Sequence, residues 1–277
     1  MMMKKTTIAV LSAALLFGGM LHIPAAHAAA QNEAAQSDAN SAIHFKLNPG
    51  IKKQYGEAAF ELETLAASPK ETEFTISRIV PENINEEIDR NIMKMNYIVM
   101  DNNGWIYDRI QAKEQWRENP DGVLARVFTE KVEAFRGKPK ELILKPYIGG
   151  DYDDKSTALA QKANVAARLT GKFPLVLDQG KIGSVSVTGV DFQKDKTVLS
   201  LSAKGETASL QIQATWLMQN GKSLQCASKK LIGVDQDVYR YQMEFPAVNR
   251  KAQLEVMTKR MTPVTFLNEL EMRVNLP

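Results

Sequence analysis

From residue 43 to the C-terminus, apolar and polar side chains alternate every second residue in one short run after another, and this period governs what the chain can become. Side chains spaced by two lie on one face of an extended strand, whereas a helix needs recurrence every three or four residues. In the second half the runs fall at 183–190, 197–202, 210–218, 238–245, 252–256 and 270–276. In the first half they fall at 56–62, 73–77, 95–100, 105–107 and 123–128, followed by a segment ending at Phe135 and a last run at 140–144. Asn103-Gly104 and Asn220-Gly221 each follow a run. They predict tight turns between antiparallel strands, because such turns need the positive φ that Asn and Gly accept most readily.

The same order of elements appears twice. The spacing between equivalent points (Gly56 and Gly183, Gly104 and Gly221, Leu142 and Leu254) falls stepwise along the chain, as two insertions in the first copy require. Polar stretches at 81–90 and 117–122 supply them, so the chain reads as an internal repeat. A single sheet cannot cover its own apolar face, so two sheets must pack against each other. The expected fold is mainly β, with two tandem Ig-like antiparallel β-sandwich domains of about seven strands each, over 43–150 and 173–277. Residues 155–169 are rich in Ala and are followed by Gly171 and Pro174, which predicts a short α-helix and makes 151–172 a helical connector.

The first 28 residues have the order of a secretory signal peptide: Lys4 and Lys5, an apolar run from Ile8 to Met20, then Ala26, His27 and Ala28 as a small-residue cleavage site. Cleavage after Ala28 leaves a small, polar, flexible linker over 29–42. The apolar run is shorter than the roughly 20 residues of a membrane helix, so no membrane insertion is expected once the signal is removed. A lipid anchor would need a cysteine at the cleavage point, and the single cysteine is Cys226. The expected location is secreted, extracellular or associated with the cell envelope.

That processing narrows the chemistry. Of 35 basic and 32 acidic side chains, Lys4 and Lys5 leave with the signal, so the formal charge falls from +3 to +1, too small an excess for a nucleic-acid partner. Of three histidines, His22 and His27 leave too, and His44 stands at the edge of the linker. One histidine and one cysteine cannot supply the three or four ligands of a usual zinc site, nor can His44 serve as the rigidly held base of a triad hydrolase. No metal and no cofactor is expected. Carboxylate-pair and Ser-Lys chemistry need no histidine and stay open. A lone cysteine forms no internal disulfide, and Cys226 reads as a small buried hydrophobe.

The stretch GKPKELILKPY at 137–147, followed by FPLVL at 173–177 and IGSVSV at 182–187, resembles an uncharacterised family of extracellular domains. Those domains sit C-terminal to the single membrane helix of anti-sigma-factor-like proteins of Gram-positive bacteria. The resemblance extends over roughly 45–277 and implies a β fold and a place outside the membrane. It implies no activity. A cleavable signal without a cytoplasmic segment departs from the family pattern and leaves sigma-factor control without support.

Several residues are candidates for a site. Asp151, Asp153 and Asp154 space oxygen ligands as a calcium loop would, yet Ser156 and Lys162 stand where that loop needs Gly and Glu, so they read as a solvated acidic turn. Trp105, with Tyr107 beside it, follows a turn, and Trp116 lies next to a charged insertion. These three are the candidate contact residues, because flat aromatic faces bury much area at little entropy cost. Trp216, inside a clean alternation, reads as core. Glu86, Glu87 and Asp89 cluster in one insertion and Glu114 and Glu118 at the other, as paired acids do in glycosidases and on any polar loop. The expected function is a non-catalytic binding, sensing or assembly module at the bacterial cell envelope, with an envelope protein or cell-wall glycan as partner. The alternatives are a histidine-free carboxylate-pair hydrolase of wall polysaccharide and a carbohydrate-binding module without hydrolysis.

Overall fold

Strands dominate the chain, and they pair antiparallel into three sheets. The computed structural model describes residues 44–81, 84–120, 122–150 and 163–277. The expected signal peptide, the linker, the acidic turn at Asp151, Asp153 and Asp154, and most of the expected connector helix lie outside the described residues.

The six-stranded sheet contains β1 (Phe45–Leu47), β2 (Ile51–Tyr55), β3 (Ala58–Ala67), β4 (Glu71–Ile79), β7 (Arg109–Glu118) and β8 (Leu124–Glu133). Its order is β1-β3-β4-β8-β7, with β2 also on β3. One helix, α1 (Glu86–Met93), begins within the insertion expected at 81–90. The ten-stranded sheet crosses the whole described chain. From the first half it takes β5 (Asn96–Asp101), β6 (Trp105–Tyr107) and β9 (Glu141–Gly149). The second half adds β11 (Leu175–Asp178), β12 (Ser184–Phe192), β13 (Lys196–Lys204), β16 (Ser228–Asp235), β17 (Val238–Pro246), β19 (Val264–Phe266) and β20 (Met272–Asn275). The four-stranded sheet runs β10 (Asn164–Arg168), β18 (Leu254–Lys259), β14 (Thr215–Gln219), β15 (Lys222–Leu224).

Two apolar cores form, on opposite faces of the long sheet. The first lies between the six-stranded sheet and β5, β6, β9 and β20, with Phe60, Leu62, Phe74, Ile76, Tyr97 and Leu142 among its members. The second holds Val187, Leu201, Met243, Phe245, Leu217 and Val256, drawn from the other end of the long sheet and from the four-stranded sheet. Strand β6 shows the switch within three residues: Trp105 and Tyr107 pack toward the first core and Ile106 toward the second. The halves meet where Lys229 pairs with Ile106 and Lys230 with Trp105, and where the Leu231 N–H donates to the Gly104 carbonyl at 2.8 Å. Gly104 has a φ of +84°, and a Cβ there would lie 2.6 Å from the Leu231 carbonyl oxygen, so the joint needs glycine.

Three expectations about elements are corrected. The described end of the expected connector helix is a strand, β10, which pairs with β18 from Asn164↔Lys259 to Arg168↔Glu255. Val165 and Ala167 pack on the second core, and burial at alternate positions overrides the helix propensity of Ala. The run at 210–218 is not one strand. Its first part belongs to a short helix, α2 (Ala208–Gln213), where residues 208 to 212 are all buried and burial on every side has no period to read. Gln211 donates there through Nε2 to the Ile182 carbonyl at 2.7 Å. Finally, the C-terminal run does not close the second half. β19 and β20 pair with β9, and Leu267, Leu270, Met272 and Val274 fill the first core.

Candidate binding surface

The hairpin of β7 and β8 turns at Asn119 to Gly122, with the Asn119 N–H donating to Val123 O at 2.8 Å and Gly122 N–H to Asn119 O at 2.9 Å. Its register sets Trp116 opposite Arg126, Glu118 opposite Leu124 and Glu114 opposite Phe128. Directly opposed residues share a face, so these six point the same way. Arg126 is opposite Arg78 on β4, and Arg78 is opposite Phe60 on β3, which makes this the face that carries the first core. Toward the hairpin tip the face opens to solvent. Trp116 is 67% exposed, Leu124 56% and Met93, at the end of α1, 54%.

Arg126 organises this patch. Its guanidinium lies 5.7 Å from the Trp116 ring centroid, pairs with Glu114 and touches the Met93 sulfur. One aromatic face is thus backed by a cation, which holds the ring without hiding it. Below it, buried Arg78 lies 4.9 Å from the Phe128 centroid and donates to the Ile92 carbonyl at 3.0 Å, fixing the C-terminal turn of α1. Deeper still, Arg109 Nε pairs with Glu130 at 2.8 Å. Burial pushes the Glu130 carboxyl above the ordinary carboxylate range, against the pull of Arg109 and Arg78. On the opposite face of the hairpin Arg117 binds Glu63 through both carboxylate oxygens, and those hydrogen bonds hold Glu63 below its usual pKa despite partial burial.

The other two aromatic candidates occupy positions inside the fold. Trp105 is half-buried at the joint between the halves, with Lys230 Nζ 4.8 Å and Arg136 Cζ 5.5 Å from its centroid. Tyr107 is buried. Its hydroxyl donates to Asp101 Oδ2 at 2.7 Å and accepts from the Arg136 N–H, while its ring packs edge-on against Phe135. Burial and the neighbouring Asp101 carboxylate raise the Tyr107 pKa. Asp101, raised by burial, also accepts from the N–H groups of Asn103 and Trp105, so Tyr107 braces the β5–β6 turn. Trp105 and Tyr107 therefore lie in one sheet and Trp116 in another. Trp216 is half-buried, on the face of β14 opposite core residue Leu217, so the core expectation for it fails.

Most of the candidate acids have local roles in the fold. Glu86, Glu87 and Asp89 occupy the first turn of α1, where Asn85 caps the helix through Oδ1 to the Glu87 N–H at 2.8 Å and negative charge complements the helix dipole. Glu114 is held by Arg126, and Glu118 is exposed. A shallow concavity of about 460 Å³ is lined by Asp101, Glu141 and Arg273, among others. Asp101 is opposite Leu142 in register, so Glu141 points to the other side of the sheet, where it pairs with Arg273 at 3.0 Å. At the joint, buried Lys229 pairs with Asp108, and Glu133 pairs with Arg136 at 3.2 Å. Cys226, half-buried beside them, donates to Ser228 O at 3.2 Å, and burial pushes its thiol up to about 11.

Leu124, Met93 and Arg126 were not legible as site residues. Only Trp116 carried a signal, and the register that gathers the others around it is a property of the fold. The fold is mainly antiparallel β, with an exposed tryptophan on an edge hairpin. No family model and no curated protein matches the sequence. The crystal structure of the conserved domain protein from Bacillus anthracis aligns over 84% of this chain and 92% of its own length, at 9% identity and a TM-score of 0.22. A TM-score that low carries no argument about fold or function.

Proposed function

We propose that this protein is a non-catalytic binding module of the bacterial cell envelope that contacts a protein partner through the Trp116 face. On this reading the chain is exported, and its two cores are tandem Ig-like sandwiches joined through one shared sheet. The resemblance to extracellular domains of anti-sigma-factor-like proteins supports that location. The observation that carries the reading is the exposed set of Trp116, Met93 and Leu124 gathered around Arg126. Trp, Met and Arg are the side chains enriched in protein contact surfaces, and a ring held in place loses little freedom on binding.

A glycan partner is the second reading, favoured by the charged groups of Glu114 and Arg126 at the rim of an open aromatic face. The hydrolase alternative has less support, since the candidate acids lie in the first turn of a helix, pair with an arginine or stand exposed. The test is retention of Trp116→Ala and Leu124→Ala proteins on intact envelopes and on purified wall glycan. Loss of roughly 2 kcal/mol at a contact tryptophan weakens retention about thirtyfold. Loss on envelopes alone supports a protein partner, and loss on purified wall supports the glycan. Wild-type retention of Trp116→Ala on both would end the reading.

A further inference from the structure

Two Asn-Gly turns of the same chemistry stand in different surroundings, and we infer that Asn220 is a site of spontaneous deamidation while Asn103 is protected. In this reaction the Gly221 backbone nitrogen bonds to the Asn220 side-chain carbon and loses its proton. The side-chain amide leaves as ammonia, forming a succinimide. Water then opens the ring at either carbonyl, giving aspartate or isoaspartate. Water is the only co-reactant, and no oxidant or enzyme is required.

The surroundings differ at the attacking nitrogen. The Gly104 N–H is committed to the Asp101 carbonyl at 3.0 Å, and its own carbonyl accepts from the Leu231 N–H at 2.8 Å. Gly104 is also buried against Leu231. Both hydrogen bonds flank the peptide unit that must rotate, so attack requires opening the joint between the halves. Gly221 is exposed, and nothing lies within 4 Å of where a Cβ would stand. Among the described residues nothing accepts from its nitrogen. The Asn220 amide has a further feature: the Gln253 N–H donates to Oδ1 at 3.1 Å, the oxygen on which negative charge develops during attack.

Conversion has a structural consequence. Isoaspartate inserts one extra carbon into the main chain between the two turn residues. That breaks the tight hairpin in which Gln219 pairs with Lys222 and shifts the Asn220 N–H away from the Gln253 carbonyl. Strand β15 is only three residues long and, among the described residues, bonds to β14 alone, so it is the element that loosens.

The experiment ages the full-length protein in warm, mildly alkaline buffer and maps isoaspartate by peptide mass spectrometry, with a parallel sample in denaturant. In the folded protein, conversion at Asn220 should exceed that at Asn103 by roughly tenfold or more, because the latter waits on local opening. In denaturant the two sites should convert alike. Asn220→Ser should abolish the mass change in its own peptide and leave the Asn103 peptide as before. Amide exchange at residues 222–224 should rise in the aged wild type and not in that variant. Equal conversion at both turns in the folded state, or an unmodified Asn220, overturns the inference.

Discussion

Replacing Met272 by Ala tests whether the C-terminal strand belongs to the first core. Met272 is fully buried, sits opposite Leu144 on β9 and packs among residues drawn from the first 150 positions. Truncating a buried methionine to alanine removes contacts and leaves a cavity, costing about 2–5 kcal/mol. Taking 3 kcal/mol as central, the melting temperature should fall by roughly 6–12 °C for a domain of this size. Hydrogen exchange localises the damage. At that cost, amides that exchange through opening of the first core should speed up about a hundredfold, at Phe60, Ile76, Val99 and Leu144. Amides of Leu199, Leu201 and Met243 in the second core should change less. The reverse pattern, with the loss concentrated in β12, β13 and β17, would refute the assignment of the C-terminal strand to the first core.

Gly104→Ala should destabilise the protein by about 1–3 kcal/mol, since the new methyl meets the Leu231 carbonyl at a positive φ, and faster exchange at the Leu231 amide would report an opened joint. Glu63 has a folded pKa below its unfolded one, so its pairing with Arg117 contributes stability above the ordinary carboxylate range that fades as pH falls through the folded value. Glu63→Gln should remove that contribution of under about 1 kcal/mol, flattening the acid limb of a denaturation series while leaving neutral stability slightly reduced. With its thiol pushed up to about 11, Cys226 should react with thiol reagents slowly at neutral pH, and unfolding in denaturant should speed the reaction sharply. An equally fast reaction in the native protein would show that the thiol is not held as described.

Much of the fold was legible before any coordinates. The runs at 56–62, 73–77, 183–190 and 238–245 overlap β3, β4, β12 and β17, because a strand buried on one side records that burial in its own residues. Both Asn-Gly turns fall where strands reverse. Strand β7 left no such trace. Residues 110 to 118 are exposed throughout, so no alternation marks the edge strand that carries Trp116. The candidate surface was therefore visible as one tryptophan and invisible as a patch.

For the strands buried on one face, local sequence determined that they extend, where the Asn-Gly turns fall and which face is apolar. Tertiary structure alone decided that β6 joins β16, that β20 returns to β9, and that Ile106 and its neighbours Trp105 and Tyr107 serve different cores. The physical reason lies in the strand edge. Its N–H and C=O groups are the same in every residue but proline, so they name no partner, and the choice among edges distant in sequence falls to the fit of whole packed faces.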